Sequence, residues 1–360
     1  MKILDKYIIK KFLTTYFFLI LIVIPITIIF DYNENIDKMT QSGVTTSQIA
    51  EYYLNFAPYF ANLYNALFLF IAVIFFTSKL ADKSEIIAMK AAGMSFKRLL
   101  RPYMIAAAII AALTFVLGAY VIPKGQVYAV NFKNKYIRKK SITSVDNIQM
   151  QVDTGVVAYI SHFDDLTKSG YGFSLDKFVG KKLVSHLTAQ NIQYDTLADR
   201  KNSWSLRMYQ IRTLQGQHEQ ITRGNKIDTV IQMEPRDFYF ARNQQETLTL
   251  PELSEFIDKQ RNRGAAGLAV FEVEYHKRFA MPFAAFILTV IGVALSCTKR
   301  KNGMGAALGV GIALCFTYIL FQTVCASFAV NAGWSPMLSA WLPNIVFAVV
   351  AFILYKRTPE

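Results

Sequence analysis

The stretch Ser84-Glu85-Ile86-Ile87-Ala88-Met89-Lys90-Ala91-Ala92-Gly93-Met94-Ser95 has the residue types and spacing best suited to engaging another molecule. Asp82 lies three residues before Glu85, the spacing of a capping box. Gly93 suits the left-handed residue that closes a helix. The spacing predicts a short helix over about residues 82–93, with Ile86, Met89 and Ala92 or Gly93 along one side. Such a side can enter a groove on a partner. Equally, Glu85 can simply cap and the helix can rest on lipid headgroups; both readings fit the residues.

Covalent and nucleotide chemistry are not written in the chain. Gly180-Lys181-Lys182 lacks the preceding glycine and following hydroxyl residue of a phosphate-binding loop. No nucleophile elbow, zinc-protease helix or Ser-x-x-Lys motif stands in a suitable context. His162, His186, His218 and His276 are scattered, and Cys297, Cys315 and Cys325 lie in or beside apolar runs. Neither set has zinc-ligand spacing, and no disulfide is expected. The sequence therefore predicts no enzyme, no metal and no cofactor bound by this chain. Work done by such a protein would draw its energy from a partner.

The elements that position the 82–93 stretch are membrane spans. The chain has 360 residues, of which 53% are hydrophobic and 18% charged, against about 25% charged in soluble domains. Residues 12–30, 56–76, 102–122, 279–298, 304–326 and 337–355 are long runs almost without charge. About 20 apolar residues cross a hydrocarbon core of about 30 Å, and a lipid-exposed backbone must satisfy its own amides. Six helical spans are expected. The first is expected to be retained rather than cleaved, since Phe30-Asp31-Tyr32-Asn33 follows it in place of a small-residue cleavage site. The spans carry almost no ionisable residue near their centres, which disfavours an ion-coupled carrier.

The flanking cations predict the orientation. The N-terminus, the 77–101 loop, the 298–303 turn and the C-terminus hold fifteen Lys and Arg, whereas loops 31–55 and 326–336 hold only Lys38. Positive loops stay inside, so both termini are expected in the cytoplasm and residues 123–278 outside it. The 23 cations of that long insert do not bear on this rule.

From about Asn147 to Ala241 the pattern changes to short alternating runs such as Ile148-Gln149-Met150-Gln151-Val152 and Asp228-Thr229-Val230-Ile231-Gln232-Met233. Period-two alternation between turn residues predicts antiparallel strands with one buried face, in a sandwich, jellyroll or partly open barrel. Pro251 to Ile257 has helical spacing and ends near Arg263-Gly264. The expected architecture is a membrane α+β protein: spans one to three in residues 1–122, a β-jellyroll-like domain with a return helix in 123–270, and spans four to six in 271–360. Gly303, Gly305, Gly309 and Gly311 allow close helix approach, either within the chain or against a moving partner.

Four features of this sequence resemble the lipopolysaccharide-export permeases LptF and LptG. The start Leu4-Asp5-Lys6-Tyr7-Ile8-Ile9-Lys10-Lys11-Phe12 is similar to the family's N-terminal pattern, LptG more than LptF. Ser84 to Ser95 resembles its most specific motif, SE followed by two hydrophobic residues and then x-M-x-A-x-G. Val121-Ile122-Pro123-Lys124-Gly125 resembles the exit from the third span, and His276-Lys277-Arg278-Phe279-Ala280-Met281-Pro282 the approach to the fourth.

The resemblance implies a permease subunit in the inner membrane of a Gram-negative bacterium, with its large domain in the periplasm. It implies a second LptF/LptG-type permease, two copies of a cytoplasmic LptB-like ABC ATPase that holds ATP and magnesium, and an LptC/LptA-like bridge. No nucleic-acid partner is expected. It makes 82–93 a coupling helix with Glu85 in the ATPase groove, joined by Ile86, Met89, Ala92 and Gly93. Each buried CH₂ contributes about 0.8 kcal/mol, so lipid extraction needs external energy and an apolar receiving surface. Ile148, Met150, Val152, Ile231 and Met233 can line that surface or form an ordinary core. Lys38, Lys277 and Arg278 can meet lipid phosphates or snorkel for structural reasons. One departure stands out: where LptG-type proteins carry several cations after the first span, this chain has Asp31, Glu34 and Asp37, with Lys38 alone. A related lipid- or lipoprotein-releasing permease, or a membrane-anchored periplasmic scaffold, are the alternatives.

Overall fold

The computed structural model describes residues 3–137, 144–164, 166–195, 202–215, 218–235, 238, 244–262, 267–297 and 303–358. Arg263 and Gly264, the expected end of the return helix, lie outside them. The chain divides into two compact units. One comprises 1–137, 245–253 and 269–360; the other comprises 138–244 and 254–268.

The first unit is helical. Its elements are α1 (Ile3–Gln41), α2 (Thr46–Leu63), α3 (Asn65–Asp82), α4 (Glu85–Ala91), α5 (Phe96–Val116), α6 (Ile122–Phe132), the start of α7 (Leu250–Asn262), α8 (Ala269–Ser296), α9 (Gly303–Asn331) and α10 (Pro336–Arg357). Among the described residues, six helices are long and apolar enough to cross a membrane: α1, α3, the continuous helix Phe96–Ile137 that contains α5 and α6, α8, α9 and α10.

The second and third of these differ from the expected runs in ways that have a local cause. The 56–76 run is divided at Tyr64, whose φ of −100° and ψ of 17° break the helix between α2 and α3. The kink delivers Asn65 to a buried hydrogen bond, in which the Tyr16 hydroxyl donates to Asn65 Oδ1 at 2.7 Å. The third span continues past residue 122 to Ile137. Pro123 cannot donate to the helix ladder, and its ring crowds the carbonyl four residues back. The π turn Leu117–Val121 immediately before it widens the helix, so the chain passes proline without stopping.

Most of the helices meet in one apolar core, whose fully buried members include Ile8, Phe12, Phe70, Tyr103, Leu288 and Ile291, while the end of α1 packs with α2 and α6 in a second cluster around Met39, Tyr52 and Phe132. Asn344 stitches three helices there: it donates to Ala280 O at 2.7 Å and accepts from the Tyr318 hydroxyl at 2.8 Å. The glycines of α9 divide by environment. Gly311 lies against Ile74 and Phe70 of α3, whereas Gly305 and Gly309 have open space around them.

The second unit is a six-stranded antiparallel sheet of β1 (Ser144–Asp153), β2 (Val156–Asp164), β3 (Ser169–Val179), β4 (Lys182–Tyr194), β5 (Ser203–Gln215) and β6 (His218–Val230). Each strand pairs with the next in sequence, β1-β2-β3-β4-β5-β6. The antiparallel domain expected between the third and fourth spans is therefore present. Its described strands run up and down, without the non-sequential neighbours of a Greek key.

Alternation gathers the buried apolar residues of the strands on one face, while Tyr171, Met208 and Ile221 are exposed. Ile148, Ile160, Phe173, Ala189 and Tyr209 are successive cross-strand partners. Met150, Ala158, Leu175 and Leu187 form a second row, and Phe163, Gly170, Ile192, Leu206 and Ile227 a third. Trp204 closes one end, with its Nε1 donating to Met233 O at 3.0 Å and its ring 5.6 Å from Phe238.

Candidate functional site

The helix at 82–93 forms, but with a different start and a different buried face. It starts at Glu85, not Asp82, which is the last residue of α3. The residue before it, Ser84, adopts a left-handed φ of 58° and makes no side-chain cap. The expected capping box is not formed, because the chain must turn sharply between α3 and α4 and Ser84 takes the strained conformation. Glu85 is left free of capping duty, and its carboxylate accepts from the Tyr7 hydroxyl at 3.3 Å. The other end matches expectation. Gly93 has a φ of 82°, its amide bonds Lys90 O at 2.9 Å, and the Met94 amide bonds Met89 O at 3.1 Å. That is the double closure of a Schellman motif.

Ile86, expected to face a partner, is 1% exposed and belongs to the helical core, with Met89 packed against the same core. These two residues seat α4 on its own chain. In so short an amphipathic helix, the apolar side that periodicity reveals is the side that packs inward. The outward side carries Ile87, which is 50% exposed, with Ala88, Ala91, Ala92 and Gly93 exposed beside it. Sequence reasoning passed over Ile87 because it is adjacent to Ile86; an Ile-Ile pair on a short helix puts one residue on each face.

α4 sits at the end of the helical unit that holds the N-terminal turn of α1. Arg98, in the first turn of α5, grips Asp5 through both nitrogens, at 2.8 and 2.9 Å. The C-terminal part of α10 lies at the same end, where the Tyr355 ring is 5.6 Å from Phe96.

In the β unit, Ile148, Met150, Ile231 and Met233 are buried in one cluster with Trp204 and Phe238, and half-buried Val152 packs at its margin. Ile231 and Met233 lie beyond the end of β6 rather than in a strand. The Ile231 amide donates to Asn202 O at 3.1 Å, which folds this segment beneath Trp204. An open trough of about 880 Å³ crosses the sheet past Phe173, Ala189, Tyr209 and Gly224, with polar Thr188, Gln190, Gln210 and Arg223 also lining it. These trough residues lie on β3, β4, β5 and β6, whose alternation was legible in the sequence.

The family model described as the lipopolysaccharide export system permease LptF/LptG matches residues 6–357. The chain belongs to this family. Among curated proteins it is similar to the lipopolysaccharide export system permease protein LptG of Haemophilus influenzae, 21% identical over 282 residues, or 77% of each chain. It is also similar to LptG of Escherichia coli K12, 19% identical over 360 residues, covering 99% of this chain and 98% of the relative.

The three cations considered for phosphate contact in this family member have different surroundings. Lys38 is exposed in the last turn of α1. Below it Asp31 accepts from the Tyr53 hydroxyl at 3.1 Å, which ties that end of α1 to α2. Arg278 is only 7% exposed. It donates to Leu248 O at 2.7 Å, to Gln245 O at 2.9 Å and to Glu274 at 3.2 Å. Its guanidinium straps the 245–248 segment to α8, a geometry that two backbone carbonyls and a fork of donors explain without lipid. Half-buried Lys277 lines a small cavity of about 80 Å³ with Tyr59, Asn62, Glu246 and Glu274. Burial, then the neighbouring Glu274 carboxylate, push the Glu246 carboxyl above its usual range; the Tyr59 hydroxyl, Lys277 and Lys133 pull the other way. Among the described residues, no group of three or more His, Cys, Asp or Glu could hold a metal ion.

Proposed function

We propose that this chain is the LptG-like permease subunit of an ATP-driven extractor in the bacterial inner membrane. It draws lipopolysaccharide from the membrane and passes it across the periplasmic β unit to a bridge protein. It hydrolyses no nucleotide. A second LptF/LptG-type permease completes the membrane part, and two LptB-like ATPases act from the cytoplasm. The bridge is LptC/LptA-like. The cation distribution supports cytoplasmic termini and a periplasmic insert.

The observation that carries this reading is the two-sidedness of α4. Ile86 roots the helix in the membrane core, while Ile87 and three alanines face outward beside the Glu85 carboxylate. A helix that short gains little by itself. A protruding Ile on a firmly seated helix fits a shallow groove on a partner. On the far side of the bilayer, the trough and the half-buried Val152 supply the receiving surface. Acyl chains would follow Phe173, Ala189 and Tyr209, with Ile148, Met150, Ile231 and Met233 as the floor behind them. Lys38 is the cation best exposed for a phosphate.

Co-purification from native membranes tests the partner side. Glu85→Arg and Ile87→Glu should each strip the ATPase from an otherwise folded permease; retention in both would overturn the docking role. A photo-crosslinker at Val152 tests the lipid path. Capture of lipopolysaccharide that requires ATP supports export, whereas capture of a lipoprotein would replace lipopolysaccharide as the cargo.

A further inference from the structure

The pleat of the sheet is reset along one line that crosses it. In a regular strand, residues sharing a face lie two apart. Here they lie three apart at the same level of successive strands. Gly170 and Phe173 of β3 are buried, as are Ala189 and Ile192 of β4, while Leu206 and Tyr209 of β5 pack on the same cluster. The register aligns these pairs: Phe173, Ala189 and Tyr209 are successive partners, and so are Gly170, Ile192 and Leu206. Two consecutive residues per strand are therefore left outside: Tyr171 and Gly172, Gln190 and Asn191, Arg207 and Met208. In β6 the exposed pair is Asn225 and Lys226. Left-handed backbone accompanies the reset, with φ of 64° at Gly172 and 51° at Met208. Glycine takes that conformation freely, whereas methionine is strained in it. Irregularities of this kind re-aim side chains and gather at functional sites.

The exposed band is uniform in chemistry. The open trough of about 880 Å³ runs along it, lined by Gly172, Gln190, Met208 and Asn225 of the exposed pairs. Its lining supplies amides, hydroxyls, aromatic rings and one cation, Arg223, and no carboxylate. Arg223 Nε donates to Gln210 Oε1 at 3.1 Å, which orients the guanidinium and leaves its other nitrogens to donate elsewhere. Beside the trough, Arg207 stands directly opposite Lys226. Like charges so placed repel. Asp228 meets Lys226 at 3.2 Å, but among the described residues neither Arg207 nor Arg223 has a carboxylate partner.

We propose that this trough binds an acidic saccharide, the sugar part of the lipid cargo. This rests on the reading of the chain as a lipopolysaccharide permease. Amides and hydroxyls exchange hydrogen bonds with sugar hydroxyls, tyrosine offers a rigid amphipathic surface, and an arginine fork takes a phosphate or carboxylate with two donors. A free phosphate would call on the cations alone. The β unit then handles both halves of its cargo, the chains on its apolar residues and the sugar on the exposed band.

The test uses the full-length permease in lipid nanodiscs. The probe is the lipid-free core oligosaccharide released from lipopolysaccharide by mild acid, with its phosphates intact or removed, and binding is read by calorimetry. Arg223→Glu should weaken the phosphorylated saccharide by about tenfold, the weight of a charge-assisted contact. Asn225→Asp, which puts a carboxylate in the trough with almost no change of size, should also weaken it. Removing the phosphates should weaken binding to the parent and abolish the difference between parent and Arg223→Glu. Lys182→Glu makes the same change of charge at an exposed position outside the trough and should leave affinity unchanged. All three positions are exposed, and an unchanged thermal midpoint checks that each variant is folded. A parent that binds no saccharide, or variants that bind it as well as the parent, would overturn the proposal. Equal affinity for a peptidoglycan disaccharide would overturn the assignment to the cargo. Photo-capture at Val152 reads the lipid path independently. Lipopolysaccharide captured there without saccharide binding sinks this proposal alone, whereas lipoprotein captured there sinks the cargo on which it rests.

Discussion

The Tyr16 hydroxyl donates to Asn65 Oδ1 at 2.7 Å, and both groups are buried between α1 and α3. This bond explains why the second apolar run breaks at Tyr64: the kink turns Asn65 toward α1. Hydrogen bonds between membrane helices average about 0.6 kcal/mol, rising to about 1.7. Tyr16→Phe should therefore lower stability by about 1 kcal/mol, read as a fall in the thermal midpoint of the detergent-solubilised protein. An unchanged midpoint would mean that Asn65 finds another donor.

Arg278 should behave as a strap rather than a lipid contact. Arg278→Lys keeps the charge but cannot reach both Gln245 O and Leu248 O with a planar fork. Breaking a buried, paired cation costs about 3 kcal/mol or more, so the variant should be clearly less stable even without lipid. Lys38→Ala, at an exposed position, should stay within about 0.5 kcal/mol of the parent and change only lipid binding. Stability measured on lipid-free protein separates the two.

Glu246 gives the protein a pH-dependent contribution of definite sign. Its carboxyl is raised by burial and by Glu274, so folding favours the protonated form. The stability it supplies is complete below the ordinary glutamate range and is lost as pH rises through the raised value. Glu246→Gln keeps a neutral side chain at every pH. Relative to the parent, its thermal midpoint should improve as pH rises above the ordinary glutamate range. A difference that stays flat with pH would show that the carboxyl titrates normally.

Close packing of α8 on α3 depends on Gly292. A Cβ there would stand 2.7 Å from Val73 Cγ1 and 3.2 Å from its Cβ. Valine is stiff at χ1 and cannot swing aside. Gly292→Ala should cost about 1–3 kcal/mol of overpacking. Gly309→Ala, in open space, should cost nothing in the isolated chain; any penalty appearing only in the assembled complex would place a partner against that face.

The spans and the strands were legible in the sequence because each depends on a local regularity: apolar length for the helices, alternation for Ile148 to Val152 and its neighbours. The Schellman closure at Gly93 was legible for the same reason, since a left-handed residue at a helix end asks for glycine. What could not be read were choices settled by contacts distant along the chain. The break at Tyr64 has no glycine or proline to announce it and follows from a partner 49 residues away. Ile86 and Ile87 are chemically identical, and only the core beneath α4 decides which is inside. Arg278 reads as a free cation at a membrane boundary until the carbonyls of Gln245 and Leu248, some thirty positions earlier, fold onto it.

The order of the sheet has a consequence for biosynthesis. Because every described strand hydrogen-bonds to its immediate successor, each hairpin can close as soon as its second strand has been made. No early strand waits with a bare edge for a late one, which limits the exposure that leads to misassociation during slow, non-local pairing. The three C-terminal spans can thus be made after the pairings among the six described strands are in place.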